Sequence, residues 1–148
     1  MNALDSPCQK MQFGSVIIYQ STVMYEGCNR FIEPLKSLCE PECIRLKIQS
    51  RTESMIGACG HAEELGVYNI LRCGIDPKRC ALYVAGFSGS YLPYLKTKAD
   101  FTCLRCAVCM YNAGIGRIYV PMVNSWALLT PEQAVETAKA YALKLKIV

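Results

Sequence analysis

His61, Glu63, Cys103 and Cys106 are the residues of this 148-residue chain whose types and spacing could do chemistry together. His61 is the sole histidine, and in Gly60-His61-Ala62-Glu63-Glu64 a carboxylate follows it two positions on. The two cysteines stand at i and i+3 in Phe101-Thr102-Cys103-Leu104-Arg105-Cys106. One imidazole and two thiolates are N and S donors of the kind zinc takes. Three protein ligands leave the fourth tetrahedral position free for water, which separates a catalytic zinc from a closed structural one. If each segment opens a helix, His61 and Glu63 share one first turn and Cys103 and Cys106 share a face of another, so the two ends can meet across a metal. Metal binding alone has no need of Glu63, whereas a carboxylate beside the ligands can carry protons. The competing reading is a satisfied core histidine among unrelated buried thiols.

Holding these groups in place takes a strand-helix-strand framework. Ala81-Leu82-Tyr83-Val84-Ala85 is a continuous apolar run that reads as a central strand buried on both faces. Leu104 to Ala113 then reads as a crossover helix and Arg117 to Pro121 as the parallel strand, with the site at the carboxyl ends of those strands. From His61 to about Cys73 the pattern suits a helix stopped by Gly74. Upstream, β-branched runs over about 14–19 and 22–27, joined by Tyr19-Gln20-Ser21, predict a hairpin. Downstream, Thr130-Pro131-Glu132-Gln133 is a capping box that starts a helix from 131 to about 143. Lys144-Leu145-Lys146-Ile147-Val148 alternates like a last edge strand, with helix as the alternative. Trp126 falls in the loop before the last helix, packed over the sheet, with an interface role as the sharper alternative.

A single domain over residues 1–148 fits the length, the 52% apolar composition and the lack of a Pro/Gly/Ser linker. The net charge of +4 comes without a run of like charges, which favours a small or moderately anionic substrate over a long nucleic acid. No apolar segment approaches the ~18 residues of a membrane span, and no secretory n- or h-region opens the chain. The protein is expected to be soluble and cytoplasmic. Its ten cysteines then read mainly as buried thiols of a reducing compartment.

The metal motif resembles that of the zinc-dependent cytidine and deoxycytidylate deaminase superfamily, whose signature is H-x-E followed by P-C-x-x-C. The resemblance continues through Phe13-Gly14-Ser15-Val16-Ile17-Ile18 and Val23-Met24-Tyr25-Glu26-Gly27-Cys28-Asn29, similar to the family's first hairpin with its closing Gly-x-Asn. Ala107 to Val120 is similar to its metal helix and following strand, so most of residues 5 to 121 is covered. One departure stands at the core, where Thr102 replaces the family's proline; threonine is a competent N-cap, so the helix start survives. The resemblance implies a three-layer α-β-α fold with a mixed five-stranded sheet and the metal site at two helix N-termini. It implies one catalytic zinc on His61, Cys103 and Cys106, Glu63 as proton carrier, and substrate contacts at Asn29, Ala62 and Thr102. Asn29 after a strand is also readable as a plain turn residue.

The activity implied is hydrolytic deamination of a cytosine nucleoside or nucleotide, dCMP to dUMP and ammonia first, by a homo-oligomer closest to the deoxycytidylate deaminase branch. Leu65 stands where those enzymes often carry asparagine. Alternatives are an adenine or guanine compound or a nucleic acid, as in the tRNA adenosine deaminases, or a zinc-stabilised structural or interaction module without catalysis. Residues 31 to 58 resemble an insertion of deoxycytidylate deaminases, some of which bind a second, structural zinc. Cys39, Cys43 and Cys59 could supply three thiolates, with Cys28, Cys73 or Cys80 as fourth; the competing reading is isolated thiols. The loop over 88–100 is long enough for a lid. Tyr91 and Tyr94 could stack on a base, and Lys96, Lys98 or Arg105 could meet a phosphate; singly, each reads first as a solvated surface residue.

Overall fold

Hydrophobic and β-branched residues in Phe13-Gly14-Ser15-Val16-Ile17-Ile18-Tyr19 favour extended chain, and they form β1 (Met11–Tyr19), paired antiparallel with β2 (Thr22–Cys28). Gln20 and Ser21 turn the hairpin with φ of 48° and 63°, the hand that suits the strands' twist. The computed structural model describes residues 3–48, 57–88 and 102–144. After the hairpin come a small antiparallel pair, β3 (Arg30–Phe31) and β4 (Cys59–Gly60), then α1 (Ala62–Arg72) and β5 (Cys80–Ser88). The chain continues through α2 (Leu104–Ala113), β6 (Arg117–Met122), β7 (Ser125–Leu129) and α3 (Pro131–Lys144). Five strands make a mixed sheet in the order β2-β1-β5-β6-β7, parallel between β5 and β6 and antiparallel elsewhere. Because β5 and β6 are parallel, α2 must return along the sheet, and its N-terminus lies at the carboxyl end of β5.

The core gathers on one face of that sheet. Ile17, Leu82, Val84, Ile118 and Val120 pack with Val67 and Ile70 of α1, Cys106, Ala107 and Met110 of α2, and Ala134 and Ala138 of α3. The helices lie in a row, α2 touching both α1 and α3. Ile17, Ile70, Leu82, Met110 and Ile118 are fully buried, each contributing about 1.5–3 kcal/mol relative to exposure. On the other face, among the described residues, lies a 3-10 turn, Ala3–Asp5, seated so closely that a Cβ on Gly14 would meet Ala3 N at 2.9 Å.

Three sequence expectations are corrected here. β5 is buried on one face only: Leu82 and Val84 point to the core, while Ala81, Tyr83 and Ala85 are half-buried on the other side. The run looked two-sided because its outer residues are themselves apolar or amphipathic. Trp126 lies within β7 and not in a loop; Asn124, at φ 64°, turns the chain tightly enough to make β6 and β7 a hairpin. Tyr83 stacks on Tyr119 at 4.4 Å between centroids and meets Trp126 edge-on at 5.7 Å. The fifth strand is therefore β7, and Lys144 closes α3, while residues 145–148 lie outside the described residues. The expected capping box is present, Gln133 N donating to Thr130 Oγ1 at 3.3 Å and Thr130 N to Gln133 Oε1 at 2.9 Å. No described helix is long and apolar enough to cross a membrane.

Candidate metal centre and active site

His61 and Cys103 are the N-caps of α1 and α2, each with extended backbone just before the first helical turn. The sequence rule for caps names Ser, Thr, Asp and Asn, which is why Thr102 was expected in that role. Instead the Cys103 sulfur caps, accepting from Cys106 N at 3.4 Å. At α1 the Glu64 carboxylate reaches back to His61 N at 3.3 Å, the acidic half of a capping box. Its other oxygen takes Arg105 Nε at 2.6 Å. One buried carboxylate thus joins the two helix starts. Sequence reasoning missed Glu64; the available signal was an acid three residues after a cap position.

The three expected donors come together. His61 Nδ1 lies 3.2 Å from Cys106 Sγ and 3.3 Å from Cys103 Sγ, and all three ligand atoms are within 4.8 Å of one another. Tetrahedral zinc with bonds of about 2.1 Å to N and 2.3 Å to S spaces such donors by about 3.6 Å. The group fits after opening by a few tenths of an ångström, and its N and S chemistry suits zinc. Zinc is the cofactor this site is built for. Protonation agrees with that. The Cys103 thiol is drawn down to about 3, first by its hydrogen bond with Cys106 and then by His61, with burial opposing. Cys106 is raised by that same bond, by burial and by Glu63. Burial disfavours charge on His61, but the Cys103 hydrogen bond and charge, with Glu63 and Glu64, outweigh it and raise its pKa. The protons held there are those that a dication displaces on binding.

Around this trio the remaining residues divide. Glu63 is 5% exposed, and its charge acts on both His61 and Cys106, so it stands beside the donors. Ala62 is fully buried, its carbonyl accepting from Ser15 Oγ at 2.7 Å, which ties β1 to the start of α1. Its N–H is one of the first-turn amides that a helix leaves without an internal partner. Thr102 is 3% exposed, and its Oγ1 is the one buried side-chain N or O atom without a hydrogen bond among the described residues. Asn29 is buried, its Oδ1 accepting from Phe13 N at 2.8 Å and Ser6 Oγ at 2.7 Å. Its Nδ2 donates to Met11 O at 2.9 Å and the side chain also reaches the Cys8 sulfur, which fills an amide's capacity. A substrate contact at Asn29 would have to displace one of these partners. Arg105 is held by Glu64, and Tyr91, Tyr94, Lys96 and Lys98 lie outside the described residues.

The other expected sulfur group also assembles in part. Cys39 Sγ is 3.8 Å from Cys59 Sγ, and Cys39 has a side-chain hydrogen bond with Cys43. Cys8, which sequence reasoning passed over, joins through Cys59; that bond holds the Cys8 thiol down at about 5 and raises Cys59. Cys73 caps the far end of α1, and Cys80 pairs with Tyr19 at the opposite end of β1, donating to Asp76 O at 3.4 Å.

The description "Cytidine and deoxycytidylate deaminase zinc-binding region" belongs to a family model that matches residues 1–122, a span containing all three donors, Glu63 and the sheet from β2 to β6. No curated protein matches the chain. With the donor trio seated at two helix N-termini inside the matched span, the chain belongs to the cytidine and deoxycytidylate deaminase zinc-binding family.

Proposed function

We propose that the protein is a zinc-dependent hydrolytic deaminase of a cytosine nucleoside or nucleotide, with dCMP as the first choice, giving dUMP and ammonia. The observation that supports this reading is the buried Glu63 carboxylate, two residues after His61, together with three donors where tetrahedral zinc takes four ligands. Bound zinc supplies Lewis-acid activation of water. Glu63 would take the proton released as water adds to C4 of the ring, and would deliver it to N3. The proton left on the added hydroxyl would pass through the same carboxylate to the departing amino group, so C4 gains a carbonyl oxygen and loses ammonia. With its side chain buried, Glu63 is screened from bulk water, which would keep the proton between carboxylate and base. The Ala62 amide and the Thr102 hydroxyl are the polar groups offered to the edge of the base. The net charge of +4 suits a monophosphate.

A panel of free bases, nucleosides, monophosphates and single strands, read by ammonia release, tests the substrate. Turnover greatest on dCMP, with shallow salt dependence, is expected. Efficient deamination of tRNA or single-stranded DNA that falls steeply with salt, with none on free nucleotides, would overturn the substrate and leave the zinc chemistry in place.

A further inference from the structure

Lys78 and Arg79 are far from Arg117 in the sequence, and the fold brings the three together. Asp76 caps the 3-10 turn Pro77–Arg79, its carboxylate accepting from Lys78 N at 3.1 Å. Gly116 N donates to Pro77 O at 3.0 Å, and a side chain at 116 would run into Lys78 O, so the start of β6 lies directly against that turn. Arg117 opens β6 opposite Ala81, its partner in the parallel register with β5. Arg79 is placed by a further contact, its guanidinium carbon 5.0 Å from the centre of the Tyr19 ring.

The three cations line one open hollow of about 560 Å³, together with Gln20 and Ser21 of the β1–β2 turn and with Tyr83 and Tyr119. That volume falls within the ~300–1,000 Å³ typical of small-ligand sites. Among the described residues no aspartate or glutamate lines the hollow, and none of the three cations forms an ion pair. All three are exposed. Like charges gathered without an acid between them repel one another, a cost that a bound anion removes. Tyr83 and Tyr119 stack with 5° between their planes, so each ring covers a face of the other. The hollow therefore offers charge and N–H donors ahead of a stacking surface.

We propose that this hollow binds a compact polyanion of linked phosphates, with inorganic tripolyphosphate as its simplest form. The guanidinium groups of Arg79 and Arg117 match phosphate oxygens with paired N–H donors, and Lys78 adds a point charge. Linked phosphates bring several negative charges into one hollow, where a single phosphate brings fewer. Recognition is by charge, so a base attached to the phosphates adds little. The hollow lies at the amino ends of β5 and β6, whereas the His61, Cys103 and Cys106 donors gather at the carboxyl end of β5. It is separate from the metal centre and does not depend on what is deaminated there.

Calorimetric titration of the full chain, carrying its zinc, with sodium tripolyphosphate at low ionic strength tests this without any measurement of turnover. Saturable binding to the parent is expected, weakened about tenfold or more in Arg117→Gln and in Lys78→Gln and weakened by added salt. Lys139→Gln removes the same charge from an exposed position on α3 and should bind as the parent does. Orthophosphate should bind at least about tenfold more weakly than tripolyphosphate, and a nucleoside triphosphate about as well. Withdrawal of zinc by the anion would be equal in all four proteins, so a titration left unchanged by Arg117→Gln and Lys78→Gln would overturn the proposal. No binding to the parent, an equal loss in Lys139→Gln, orthophosphate binding as well as tripolyphosphate, or a nucleoside triphosphate bound more than about tenfold tighter would overturn it too.

Discussion

Thr102 shows at the scale of one residue how this chain departs from its family. Where the family signature has proline, this sequence puts a hydroxyl that is buried and unpartnered among the described residues, one position before a zinc donor. Leaving such a group unpaired costs about 1–3 kcal/mol, a cost that a bound base or water would remove. Thr102→Val keeps the shape and deletes the hydroxyl. Its expected result is an unchanged zinc content and an unchanged or higher melting temperature, with KM for the substrate raised severalfold. A lower melting temperature with KM unchanged would assign the hydroxyl a structural partner instead. The donors themselves were legible because zinc's demand for N and S ligands leaves a spacing pattern in the sequence. Cys8 and Glu64 were not, since their partners are set by tertiary approach: Cys8 meets Cys59 across 51 positions of chain that only the fold brings together.

At the scale of elements, the site is two helix starts facing each other, and the Arg105 to Glu64 pair is the strap between them. Glu64 is 4% exposed on its side chain and Arg105 41%, so removing the guanidinium leaves a buried carboxylate partly unpaired while water screens some of the loss. Arg105→Ala should cost about 1–3 kcal/mol, a melting temperature about 2–12 °C lower, and should weaken zinc binding because Glu64 also fixes the His61 amide. Arg105→Lys should recover part of both. Unchanged melting and zinc affinity in Arg105→Ala would remove this pair from the site's construction. The helices and the β5-α2-β6 unit were readable from periodicity and stop signals, as at Gly74, which takes φ 69°. β7 was not, because Ser125-Trp126-Ala127-Leu128-Leu129 lacks the polar-apolar alternation of a half-exposed strand. It is identified by its pairing with β6 and by the tight turn at Asn124.

For the whole molecule, all three helices lie on one face of the mixed sheet, and that one-sided core sets the helix starts from which the metal donors and Glu63 project. On the other face Tyr83 contacts both Tyr119 and Trp126, with Trp126 and Leu128 exposed. Zinc on the assembled trio, with Glu63 as proton carrier, is tested most directly by pairing zinc content with ammonia release in the parent and in Glu63→Gln. The substitution keeps the size of the side chain and every metal donor while removing the proton carrier. This division of roles predicts equal zinc at the His61 site, near-normal melting, and turnover reduced about 100- to 10,000-fold in the variant. Equal turnover in the two proteins, or a parent that holds no zinc, would contradict it.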